Sequence, residues 1–172
     1  MGQAATITFY PVGNGDTEQI VLVNDRRVLF DFCHRVKSED PDTPEINLKD
    51  RLRTELAQAN RSNFDVVAFT HADRDHIQGS TEFFELRHAA KYQGGDRVIV
   101  DEFWMPAAML VEECQRDEQS EEFAILRREG RYRLLEGKGI RVFSQPELLM
   151  EWLRPALAER GEREDARDHL FV

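Results

Sequence analysis

The chain has 172 residues, 41% of them apolar, enough for one compact domain over residues 1–172 with a real core. A net charge of −10 argues against a surface built as a whole to hold nucleic acid, though it leaves room for a local basic groove. Cys33 and Cys114 lie in no C-x-x-C motif and no apolar run approaches the ~20 residues of a membrane span, so a cytoplasmic setting without membrane contact is expected.

Residues 6–12 alternate as a strand and open into Val12-Gly13-Asn14-Gly15-Asp16, a turn whose glycines allow positive φ. EQIVLVN and RRVLFDF meet around Asn24-Asp25 as a hairpin, and its second strand ends at Asp31. An Asp there either terminates the strand on nearby backbone N–H groups or supports a site beside it. His34 is isolated and reads as structural or solvent-facing, though within reach of a substrate. SEDPDTP, residues 38–44, is a loop by composition. INLKDRLRTELAQA then places Ile46, Leu48, Leu52 and Leu56 on a helical stripe, with Thr43-Pro44-Glu45 as its expected start. That helix would return the chain parallel to an earlier strand.

Residues 64–79, FDVVAFTHADRDHIQG, organise everything around them. Phe64, Val66, Val67, Ala68 and Phe69 read as a buried strand, which empties into His71, Asp73, Asp75 and His76. Four metal-ligating side chains within six positions, where a strand hands over to a helix, point to a metal loop. Imidazole nitrogen with carboxylate oxygen suits zinc, manganese or iron. The plainer alternative is a solvated loop with an Asp helix cap.

THADRDHIQG resembles the signature loop of the metallo-β-lactamase-fold hydrolases, H-x-H-x-D-H, with Gly79 matching the glycine that commonly follows. Asp73 stands where most members have His. The resulting H-x-D-x-D-H variant is similar to that of the hydrolase domain of the DNA-uptake competence channel and its soluble relatives. ITFYPVGNGDTEQIVLVNDRRVLFDF is similar to the family's first hairpins, and the likeness covers Thr6 to Gly79 well and the remainder loosely. It implies an α/β fold, an αβ/βα sandwich of which this chain is the N-terminal half, with a mixed β-sheet and flanking helices. It also implies two divalent metals, zinc foremost and manganese alongside, with His71 and Asp73 on one and Asp75 and His76 on the other. Asp75 is expected to be catalytic as well as a ligand. Asp31 and Asp16 would support the ligands from neighbouring segments, Asp31 with an equal claim to ending its strand on backbone N–H groups and Asp16 tilted toward simple turn structure.

Downstream, STEFFELRHAAKY reads as a helix burying Phe83, Phe84 and Leu86 and closed by Gly94-Gly95, with His88 on its surface. RVIVDEFWMP reads as a buried strand whose Trp104 belongs to the core or lines a cleft. A charged helical insertion is expected at about 107–135. Its Arg127, Arg128, Arg131 and Arg133, with Lys138 and Arg141, form either a phosphate-binding rim or a solvated, salt-bridged face. GKGIRVFS is a turn and a short strand, and PELLMEWLRPALAERG an amphipathic helix with Pro155 inside it.

The later ligands that the resemblance implies, an Asp bridging the metals and a final His, have no convincing match after Gly79; Asp168-His169 is the nearest pair. The chain therefore reads as part of a longer hydrolase whose half-sandwich exposes an apolar sheet face to a partner or second copy. Two functions follow. One is a metal-dependent hydrolase, foremost a phosphodiesterase or nuclease using a metal-activated hydroxide on nucleic acid or another phosphodiester, with lactones or thioesters as competing substrates. The other is a binding or assembly module that keeps the fold but lacks the later ligands.

Overall fold

A computed structural model describes residues 4–111 and 121–172; Cys114 and the acidic part of the charged stretch at 112–120 lie outside the described residues. Three short strands, β1 (Thr6–Phe9), β2 (Glu18–Val21) and β3 (Arg27–Phe30), form an antiparallel meander with Thr6 opposite Val21 and Glu18 opposite Phe30. The expected strand at 6–12 is shorter because Tyr10 turns its backbone N–H to Thr17, after which the loop begins. A helix, α1 (Leu48–Gln58), then carries the chain to β4 (Asn63–Ala68), which lies parallel to β3. Two four-residue helices follow, α2 (Arg74–Ile77) and α3 (Ser80–Phe83). Next come β5 (Ile99–Pro106), α4 (Ala108–Val111), α5 (Glu121–Glu136), β6 (Ile140–Phe143) and α6 (Glu147–Glu159), with β5 and β6 continuing the parallel run. The sheet is six-stranded, mixed and in sequence order, an α/β fold. Among the described residues no helix is long and apolar enough to cross a membrane.

Leu48, Leu52 and Leu56 are all buried, as the stripe on α1 requires. The cap differs from expectation: Asn47, not Thr43, accepts the Asp50 N–H, because Pro44 and Glu45 remain in the loop ahead of the helix. The stretch after α2 also departs from the sequence reading. Only Ser80–Phe83 is helical, and Phe84 is extended and bridges to Val98. Phe83, Phe84 and Leu86 are all fully buried, and the core accommodates them by opening the helix. Phe83 stacks on Phe32 at 5.0 Å while Phe84 meets Phe32 and Phe103 edge-on. His88, expected at the surface, is half-buried, with its Nδ1 3.0 Å from Glu129 Oε2.

The charged segment supplies a core helix rather than a solvated rim. Phe123, Ile125, Leu126 and Leu134 of α5 are buried, and Gly130 lets the helix lie close to its neighbours, since a Cβ there would stand 2.9 Å from Met105 Sδ. Arg133, fully buried, pairs with Glu129 at 2.6 Å and donates to the carbonyls of Val100, Asp101 and Gly139. Arg131 bonds the Leu110 carbonyl and stacks over Trp152. The proposed phosphate rim is thus spent in part on internal contacts.

The core fills the space between one face of the sheet and the helices. The opposite face carries only a small cluster, Val28, Val66 and Ala68, shielded by Ile20, Phe30 and Trp104. Trp104 therefore lies on this open face, not in the main core, its ring 5.9 Å from Phe143 and its Nε1 bonded to Glu102.

Candidate metal centre

The parallel pairing of β3 and β4 puts the ends of both strands side by side, so Asp31 and Thr70 emerge together at one edge of the sheet. Asp31 has φ +52°, a left-handed backbone that costs a non-glycine residue roughly 1–3 kcal/mol. What holds it there is a saturated carboxylate. Oδ1 accepts the Thr70 N–H at 2.7 Å, and Oδ2 accepts the Thr70 hydroxyl at 2.6 Å and the His76 Nδ1–H at 2.9 Å.

That network sets both imidazole tautomers. A hydroxyl carries one proton, and Thr70 gives its proton to Asp31, so its 2.9 Å contact with His71 Nδ1 has the ring donating. His71 and His76 therefore both carry the proton on Nδ1 and leave the Nε2 lone pair open, the form in which imidazole binds metals. The two rings stand 3.6 Å apart between centroids.

Each open nitrogen faces carboxylate oxygen. His71 Nε2 is 3.6 Å from Asp73 Oδ2; His76 Nε2 is 3.7 Å from Asp75 Oδ2 and 3.8 Å from Asp16 Oδ2. These separations are too long for hydrogen bonds. With metal–ligand bonds of about 2.0–2.2 Å, neighbouring ligand atoms on a coordination tetrahedron stand about 3.3–3.5 Å apart, so small side-chain shifts would place an ion between them. The donor set fits a divalent cation.

Each histidine of the expected ligand set thus faces one carboxylate of that set, His71 with Asp73 and His76 with Asp75, and Asp16 stands beside His76. By proximity Asp31, His71 and His76 also form a group, one ligand atom from each lying within 4.8 Å of the others. With three hydrogen bonds accepted, the Asp31 carboxylate orients both rings, directly at His76 and through Thr70 at His71. Burial first, and then the carboxylates of Asp16 and Asp31, raise the Glu18 carboxyl above its ordinary value.

The loops are fixed to one another by backbone. Phe32 N–H donates to the His76 carbonyl at 2.8 Å and Asp16 N–H to the Asp75 carbonyl at 3.3 Å. Sequence reasoning missed Thr70, although a hydroxyl residue directly before the first ligand was a usable signal. It also missed Arg35, Lys37 and Arg74, which line a cleft on the far side of Asp75. Asp168-His169, the late pair, sits beside β6, three strands away from β3, and is not part of the centre. Comparison with protein-family models and with curated proteins finds no match to this chain.

Proposed function

We propose that the chain is a metal-dependent hydrolase of metallo-β-lactamase-like architecture that acts on phosphodiesters, as a nuclease does. One observation carries the reading: two histidines, their Nε2 atoms left open by Asp31 and Thr70, face three carboxylates at 3.6–3.8 Å. His71 with Asp73, and His76 with Asp75, would hold two divalent ions, zinc by the imidazole donors and manganese through the additional carboxylate. Bound there, such ions supply an acidified water as nucleophile and polarise the oxygen that gathers charge. The protein's own part is orientation. Asp31 and Thr70 hold each ring in one tautomer and one orientation, and the backbone bonds from Phe32 and Asp16 keep the ligand loop from drifting. Asp75 is exposed beside His76 and is placed to meet substrate as well as metal. The carboxylate-rich centre and the H-x-D-x-D-H likeness favour phosphoryl over lactone or thioester substrates.

The second reading, a binding or assembly module with a partial centre, is favoured by one observation. Among the described residues a single three-residue group with metal-ligand spacing forms, and the late Asp168-His169 pair stands apart from it. Elemental analysis of the purified chain and of His71→Ala/His76→Ala separates the two. Close to two metals per chain, lost in the double variant, together with hydrolysis of bis(p-nitrophenyl) phosphate, is the expected result. One metal or none, with no hydrolysis at any added zinc or manganese concentration, supports the module and overturns the hydrolase.

A further inference from the structure

We infer that the cleft adjoining the centre is a phosphate subsite, which holds a second phosphate of a polyanionic substrate beside the one at the metals. The inference rests on the phosphodiester reading but on different residues. The cleft has a volume of about 510 Å³ and is lined by Asn14, Arg35, Lys37, Arg74, Asp75 and Gln78. Every lining side chain is polar and three are cationic, in a chain whose net charge is −10.

The charges do not cancel internally. Lys37 Nζ is 2.6 Å from Glu45 Oε1, and Arg35 Nη1 is 3.9 Å from the same oxygen, so one carboxylate serves two cations. Arg74, exposed at the start of α2, adds a third positive charge, with Glu122 as the carboxylate it acts on. The carboxylate of the lining, Asp75, is turned toward His76 Nε2 and is the group that an ion at the centre would claim. What remains is a basic wall, and guanidinium forks match phosphate oxygens in pairs.

The wall is also pre-organised. Arg35 donates to the Asn14 carbonyl, His34 N–H donates to the Gln78 carbonyl at 2.8 Å, and Asp16 N–H to the Asp75 carbonyl at 3.3 Å. Gly15 allows this closeness, since a Cβ there would stand 2.5 Å from Cys33 Sγ and 2.9 Å from the Asp75 carbonyl. Three separate loops are thus locked into one cleft with Asp75 as the shared wall between phosphate and metal.

The test uses the full chain, stripped of metal with EDTA, and two probes: fluorescein-labelled dT8 by anisotropy and inorganic pyrophosphate by calorimetry. Arg35→Gln/Arg74→Gln should weaken binding at least tenfold. It should also flatten the salt dependence of dT8 binding by about 0.7 in the log–log slope, the share of the one phosphate that the two arginines hold. Arg127→Gln/Arg128→Gln on α5 should stay within twofold of wild type. Lys37→Gln/Arg74→Gln, both exposed, repeats the test without cutting the Arg35–Asn14 bond. Loss of dT8 alone identifies a strand phosphate as the ligand, and loss of both probes a free or terminal one. No binding by wild type, or equal losses in cleft and α5 variants, overturns the subsite. His71→Ala/His76→Ala should leave metal-free binding intact while abolishing metal uptake, so failure of the subsite and failure of the hydrolase reading are read separately.

Discussion

Asp31 is the residue on which the candidate centre turns, although it need not touch a metal. Its two oxygens accept three hydrogen bonds, and those bonds decide which nitrogen of His71 and of His76 is free. Asp31→Asn keeps the size but replaces one accepting oxygen with a donor, which opposes the Thr70 N–H in one amide orientation and both the Thr70 hydroxyl and the His76 N–H in the other. Metal affinity should fall about 10–100-fold, the usual effect of losing such an orienting partner, with the circular dichroism spectrum unchanged. Competition with a chelating dye measures it; equal affinity for the variant and wild type would show that the carboxylate does not set the tautomers. Thr70→Val should weaken affinity in the same direction through His71 alone. The candidate ligands could be picked out of the sequence because His71, Asp73, Asp75 and His76 fall within six positions. Thr70 was not, since its meaning depends on a carboxylate 39 positions away. Arg35 and Lys37 were hidden for the same reason, because only the folded loops bring them beside Arg74.

At the scale of elements, α5 shows where composition misleads. Its arginines looked like a surface feature, yet Arg133 is sealed between the helix and β5 with Glu129, which also accepts from the His88 N–H. Burial pushes the Glu129 carboxyl up, but its ion pair and hydrogen bond with Arg133 and the N–H groups of Arg87 and His88 outweigh it, and the net direction is down. A carboxyl held below its unfolded value adds stability that is complete above the ordinary carboxylate range and is lost as pH falls through the lowered value. Wild type should therefore lose thermal stability steeply in acid, and Glu129→Gln should show a flatter acid limb in melts taken from pH 7 downward. At neutral pH the same variant strands a buried guanidinium and should cost about 3–5 kcal/mol, a large part of the roughly 5–15 kcal/mol of a domain this size. Glu129→Leu/Arg133→Met should not recover it, since the carbonyls of Val100, Asp101 and Gly139 would lose their donor. A double variant as stable as wild type would show those carbonyls to be satisfied otherwise. The strands and α1 were legible because their periods are clean. The stretch at 80–92 was not, because three buried residues within four positions fit a bent segment as well as a helix, and only the aromatic packing against Phe32 and Phe103 decides.

For the molecule as a whole, the sheet is two-sided in structure but one-sided in packing. The described helices cover one face, while the other runs from the candidate centre across Ile7, Phe9, Ile20 and Phe30 to Trp104 and Phe143. Phe9 is 74% exposed, Ile7 58% and Phe143 40%. The sequence led to the expectation of an open apolar face from the missing later ligands, and the strand order puts that face directly under the histidines, with Ile7, Phe9 and His76 sharing one shallow concavity. Apolar side chains gathered on one exposed face are the kind of surface that an apolar probe finds. A dye that fluoresces on apolar surface should therefore bind the native chain and report it without denaturant. Ile7→Lys/Phe9→Glu should remove most of that signal while shifting stability by no more than about 0.5 kcal/mol per site, because neither side chain gives up much burial on substitution. The same variant should leave the metal content of the centre unchanged, since its ligands come from the loops and not from β1. Dye binding that survives the double substitution would place the exposed apolar surface elsewhere. Loss of metal along with dye would mean that β1 holds the ligand loops in position, through the Asp16–Asp75 backbone contact that follows it.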